Sequence, residues 1–131
     1  MKSFSKSYFF DASIDEVFDA LTNQDIIEKW THSIAIFDPQ PGGKFSLWDD
    51  SINGKNVSIE KYTIVQDWKE ETWEKYSRVT IKLSETDEGT QLDLKHEMIP
   101  PSAHYNIKTG WDESFMQPLK ELLEEGEVEA D

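Results

Sequence analysis

The sequence predicts an α+β domain: a curved antiparallel sheet of about six to seven strands wrapped around a long C-terminal helix, with two short helices after the first strand. Three observations carry this. Two stretches in the second half alternate strictly between apolar and polar residues, as strands with one solvated face do. A capped amphipathic helix stands near the N-terminus. An apolar stripe at helical spacing closes the chain and can cover the inner face of the sheet.

The elements follow in order. Ser3 to Asp11 is the first strand. Ser13 is a candidate N-cap with Glu16 three residues on, a capping-box spacing. Ile14, Val17, Phe18 and Leu21 then fall on one helical face. Ile26, Ile27 and Trp30 mark a second short helix. Ile34 to Phe37 is a short apolar run, and Asp38-Pro39-Gln40-Pro41-Gly42-Gly43 is a turn cluster. Lys44 to Trp48 is a strand, and Asp49 to Gly54 reads as a hairpin region. Lys55 to Ile59 and Ile64 to Lys69 are further strands, with no Gly or Pro between them.

Ser77 to Ser84 places Ser77, Val79, Ile81 and Leu83 on one face. After the turn Asp87-Glu88-Gly89, residues Thr90 to Met98 place Leu92, Leu94, His96 and Met98 together. Thr109 is a candidate cap for the last helix, with Asp112 at the capping-box position, and Trp111, Phe115, Leu119 and Leu122 form its apolar stripe. Pro118 lies inside this helix, where it removes a donor and should kink it.

Composition bounds the function. The 131 residues suit one domain, placed at 1–125, with the acidic run 126–131 expected to be a disordered tail. The absence of Cys excludes disulfides, thiolate nucleophiles and Cys-type metal sites. The N-terminus lacks the apolar run of a signal peptide and no stretch reaches membrane-spanning length, so a cytoplasmic protein is expected. A net charge of −14 repels phosphate backbones and anionic membranes, which argues against both as partners.

Chemistry is sparse. His32, His96 and His104 are too dispersed for a metal site, and no cofactor is expected. Gly42-Gly43 is a turn rather than a phosphate loop, and no serine occupies a nucleophile elbow. Asp49 and Asp50 are adjacent, so on a strand they would point to opposite faces; they read as a turn. His96 alone shares an apolar face. It is either a core histidine bonded to a neighbour or a polar anchor for a ligand, with catalysis the weakest option. The aromatic load is heavy, with five Trp, and Phe37 and Trp48 belong to it. The candidate lining of a sheet–helix cavity is Phe18, Trp30, Phe45, Trp68, Trp73, His96, Met98, Trp111 and Phe115. A kink at Pro118 would either widen one end of that cavity or be a tolerated defect.

Several of these segments, in order, resemble one family. Asp38-Pro39 through Gly42-Gly43-Lys44-Phe45 is similar to the D-P-x-x-G-G-K-F segment of the activators of heat-shock-protein-ninety ATPase, the Aha-type family. Ile64-Val65-Gln66-Asp67-Trp68-Lys69, with Trp73 beyond, resembles its I-V-Q-x-W-R…W segment. Ser77 to Ile81 and Gly89 to Leu92 resemble its strand–turn–strand, and Ile99-Pro100 with Gly110-Trp111 its I-P…G-W signature.

The resemblance is to the C-terminal-type domain and implies a START-like helix-grip fold. It also implies a non-catalytic binding or chaperone-regulatory protein of the stress response, with a heat-shock chaperone as partner. The alternative is a carrier or sensor of a small hydrophobic ligand held between sheet and helix. A polyketide-cyclase-like enzyme, suggested by the wider superfamily only, ranks last.

Overall fold

The computed structural model describes the backbone of residues 1–129 and the side chains of residues 1–124. The expected tail at 126–131 lies outside the residues whose side chains are described. Strand β1 (Lys2–Phe10) leads into helices α1 (Ile14–Thr22) and α2 (Gln24–Thr31). Strands β2 (Ile36–Phe37), β3 (Lys44–Leu47), β4 (Ile52–Glu60), β5 (Thr63–Glu70), β6 (Ser77–Thr86) and β7 (Gly89–Ile99) follow. They form one antiparallel seven-stranded sheet in the order β1-β7-β6-β5-β4-β3-β2. A 3₁₀ turn (Pro101–Ala103), helix α3 (His104–Gly110), a π-helical turn (Trp111–Met116) and helix α4 (Gln117–Glu129) complete the chain.

Local chemistry explains the boundaries. The Ser13 hydroxyl accepts from the Glu16 N–H while the Glu16 carboxylate accepts from Ser13, so two orphan donors at the α1 start are satisfied. Asn23 caps α2 through the Asp25 N–H. No Gly or Pro turns β4 into β5; Tyr62 takes up the left-handed conformation there, with φ 72°. The Asp38–Gly43 turn is docked on buried Asn56. The Gly42 N–H donates to the Asn56 carbonyl, and the Asn56 side chain donates to the Asp38 carbonyl. Gly42 adopts φ 82°, which suits glycine.

Two expectations change. Asn53 and Gly54 belong to β4 rather than to the hairpin turn. Gly54 is glycine for a different reason: a Cβ there would collide with the Asp67 backbone of β5 and crowd the Phe45 ring. The C-terminal helical run begins near Pro101, not at a Thr109 cap, so the apolar stripe extends back to Ile107.

Ahead of Pro118 the helical run widens into the π-helical turn. Pro118 cannot donate to the Ser114 carbonyl, and just before it the Gln117 N–H reaches back five residues to Asp112. The widened turn brings Trp111, Phe115 and Met116 all onto the core side.

That core lies between sheet and helix. Val79, Ile81, Leu92, Leu94 and Ile64 of the sheet are buried against Phe115, Met116 and Leu119. Helices α1 and α2 close one end. Trp30 of α2 lies 4.7 Å from the Phe115 ring, edge-on, and its indole N–H donates to the Ala20 carbonyl. Polar clamps fasten the helical run to β1: Lys6 and Tyr8 both bond the Asp112 carboxylate, and Lys120 donates to the Phe9 carbonyl.

Candidate functional site

The inner face of the sheet and the helical run enclose two unequal spaces. At the closed end the interior holds only about 20 Å³, between Trp30, Phe37, Phe45, Ile64 and Phe115. That is room for about one water molecule. At the other end, where no helix covers the β3–β4 turn, a cleft of about 530 Å³ opens. Its volume lies in the range of small-molecule sites.

The cleft is built from three directions. Trp68 (β5) and Ile52 (β4) come from the sheet, Ile107, Trp111 and Phe115 from the helical run, and Trp48 from the β3–β4 turn. The polar rim holds Ser51, Thr72, Asn106 and Ser114 together with the carboxylates Glu70 and Glu71. The indoles of Trp68 and Trp111 stack at 5.8 Å with 23° between planes, and Phe115 lies 4.4 Å from Trp111.

The turn that presents Trp48 is unusual. Trp48, Asp49 and Asp50 are three consecutive non-glycine residues in the left-handed region, with φ 51°, 53° and 71°. Aspartate tolerates this conformation, but for a bulky aromatic it is an outlier that costs about 1–2 kcal/mol. The turn is held from outside: the Ser46 hydroxyl donates to Asp50, Asp49 N–H to the Ile34 carbonyl, and Glu71 N–H to the Ser51 carbonyl.

His96 sits behind the indoles and is fully buried. Its protonation follows from its partners. The Trp111 indole N–H can only donate, so His96 Nδ1, 2.9 Å away, accepts and carries no proton. Ser77 Oγ donates to the Trp68 carbonyl at 2.6 Å. It therefore accepts from His96 Nε2–H at 2.8 Å. The relay Trp111 to His96 to Ser77 to Trp68 carbonyl ties helix, β7, β6 and β5 together. Burial pushes the imidazole down to about 3, so it is neutral at physiological pH. Both ring nitrogens are occupied by protein. The core-histidine option therefore describes its bonding, and a ligand would have to displace Trp111 or Ser77 to reach it.

The other candidate residues separate. Trp68, Trp111 and Phe115 line the cleft. Trp30 and Phe45 line the small interior void instead. Trp73 is buried behind Trp68, at 6.0 Å between ring centres. Phe18 packs edge-on against Tyr62 at 5.7 Å, away from the cleft.

Met98 is a correction: it is exposed, not on the inner face. A bulge explains it. Lys2 pairs with Ile99 and Phe4 with His96, so three steps of β7 oppose two of β1. Met98 takes φ 60°, the parity flips, and Ile99 is the buried residue instead.

Sequence reasoning missed Trp48, Ile52 and Ile107 as lining residues. Ile107 was legible as the i−4 position of the Trp111 stripe, but the Thr109 cap reading cut the helix short. Trp48 gave no local signal, because only the folded turn carries it over the cleft.

Among the described residues no group of three His, Cys, Asp or Glu could hold a metal ion, and no helix is long and apolar enough to cross a membrane.

Comparison with known proteins places this geometry. The chain is 26% identical over 118 residues to the mouse protein "Activator of 90 kDa heat shock protein ATPase homolog 2", covering 88% of this chain and 36% of that relative. It thus spans little more than a third of that relative's length. The crystal structure of an HSP90 activator from Plasmodium falciparum is similar at a TM-score of 0.81 and 32% identity, over 89% of this chain and 92% of that one. The structure of a protein from the dynemicin biosynthetic locus reaches a TM-score of 0.83 at 20% identity, over 96% of this chain and 48% of that one, a likeness of fold alone. These likenesses carry the START-like fold, in which a curved antiparallel sheet grips a C-terminal helix. With a family model matching from residue 11 to residue 124, the chain belongs to the family described as Activator of Hsp90 ATPase homolog 1-like protein.

Proposed function

We propose that this chain is a non-catalytic regulatory partner of an Hsp90-type chaperone, acting by protein–protein contact. The observation that carries the reading is the likeness to the Plasmodium HSP90 activator, which extends over nearly the whole of both chains at 32% identity. The site geometry supports it. The one histidine on the inner face is bound at both nitrogens by the protein itself. The reading carries with it a cytoplasmic location and residues 1–125 acting as one unit.

The test is a calorimetric titration of the purified chain into an Hsp90-type chaperone, with steady-state ATP hydrolysis measured alongside. Saturable binding with raised hydrolysis is expected. No binding up to concentrations on the order of tens of micromolar would sink the reading, since weak regulatory contacts lie in that range.

A second reading, a carrier or sensor of a small hydrophobic ligand, is favoured by the cleft of about 530 Å³ and its stacked indoles. A ligand that binds only the folded chain raises its melting temperature by mass action. A panel of apolar metabolites that produces no shift removes this reading.

A further inference from the structure

The cleft is charged in one sense. Among its lining residues the ionisable groups are Glu70 and Glu71, with no Lys, Arg or His. The nearest cation in sequence, Lys69, is engaged elsewhere: its ammonium donates to the Trp73 carbonyl at 3.1 Å and lies over the Tyr76 ring. The walls are indole and aliphatic. The Trp111 N–H is turned inward to His96, so that ring offers the cleft no donor.

Aromatic faces attract cations through the ring quadrupole, and two carboxylates at the mouth add Coulomb attraction. A carboxylate or phosphate ligand would meet repulsion and no donor cation. Trp48, on the β3–β4 turn, completes the apolar wall and is held in a left-handed conformation that a bulky residue rarely adopts.

We propose that this cleft binds a small organic ammonium ion, with its apolar body against Trp48, beside Trp68 and Trp111, and its cationic head toward Glu70 and Glu71. The site is independent of chaperone contact. It narrows the ligand from any apolar compound to a cation of size matching about 530 Å³.

The experiment is isothermal titration of the full 131-residue chain with benzyltrimethylammonium. Benzyl alcohol and phenylacetate serve as neutral and anionic counterparts. Saturable one-to-one binding of the cation is expected, with phenylacetate at least about tenfold weaker. The double variant Glu70→Gln, Glu71→Gln should weaken cation binding about tenfold, as should Trp48→Ala. Glu85→Gln with Glu88→Gln removes the same charge from the distant β6–β7 hairpin and should leave the affinity unchanged. The proposal is overturned by equal binding of phenylacetate, by an equal loss in the Glu85/Glu88 control, by an affinity indifferent to Glu70 and Glu71, or by no detectable binding of the cation. Both carboxylates are solvent-accessible, so the double variant folds whether or not Trp48→Ala does.

Discussion

The two ends of the sheet–helix interface are built from the same kind of residue and behave differently. At the closed end, Trp30, Phe37, Phe45 and Phe115 interlock and leave about 20 Å³. At the open end, Trp48, Trp68 and Trp111 line about 530 Å³. The difference lies in what covers them. Helices α1 and α2 bring Val17, Leu21, Ile27 and Trp30 down over the closed end, all buried. At the other end α3 and the π-helical turn form one wall, Trp68 and Trp111 are buried and tied from behind by the His96 relay, and the cleft opens beside them. The aromatic rings are thus buried at both ends, and the open space lies beside them at one end only.

The strongest way to break this contrast is to remove the ring that serves both functions at the open end. Trp111→Ala deletes the stacking partner of Trp68 and a ring packed at a tilt on Phe115, and leaves His96 Nδ1 without its donor. A loss of about 3–5 kcal/mol is expected, measured by urea unfolding. A loss under about 1 kcal/mol would mean that the open end collapses freely and is not framed at all.

His96→Leu tests the brace alone. It leaves the Trp111 N–H buried without an acceptor and should cost about 1–3 kcal/mol. It also carries a pH signature. A folded-state value of about 3 lies below the unfolded value of about 6.5, so the unfolded chain takes up a proton that the folded chain refuses. The wild type should therefore lose stability as pH falls from about 6.5 toward 3, at up to about 1.4 kcal/mol per pH unit from this group. The variant should lack that part of the slope. Identical pH profiles would show that His96 protonates in place.

Gly54→Ala probes the sheet where it approaches the open end. The added methyl would meet the Asp67 backbone and the Phe45 ring, and a loss of about 1–3 kcal/mol is expected from the forced shift of β4 against β5. An unchanged unfolding midpoint would indicate that the two strands separate without cost.

The smallest effect belongs to the outer clamp. Burial draws the Asp112 carboxyl up, but the hydrogen bonds from Lys6 and Tyr8 outweigh it and hold it below the usual carboxylate range. Its contribution is present at neutral pH and fades as acid protonates the group. Asp112→Asn should cost under about 1 kcal/mol, with most of the difference gone at low pH. A larger loss would place the anchoring of the helical run in this clamp rather than in the aromatic core.

Much of the architecture was legible because periodicity reports which face is buried. Strict alternation from Ser77 to Leu83 and from Leu92 to His96 matches the buried positions one for one. The Ser13–Glu16 capping box and the Trp111–Phe115–Leu119 stripe were equally plain. The alternation failed at Met98, where a bulge inserts a residue; nothing local at Met98 announces it, because bulges answer to the partner strand. The cleft was half legible: Trp68, Trp111 and Phe115 from their stripes, Trp48 and the Glu70–Glu71 rim not at all.

The sequence by itself determined most of the elements, their order and the inward parity of the long strands up to His96. Each depends on residues a few positions apart, through capping, alternation and helical spacing. Tertiary structure alone decided the left-handed Trp48 turn, the donor and acceptor roles around His96, and which aromatics line the cleft. Those depend on groups brought together across long stretches of chain, such as Ser77, His96 and Trp111. Steric fit and hydrogen-bond satisfaction fix such arrangements only once the sheet has closed on its helix.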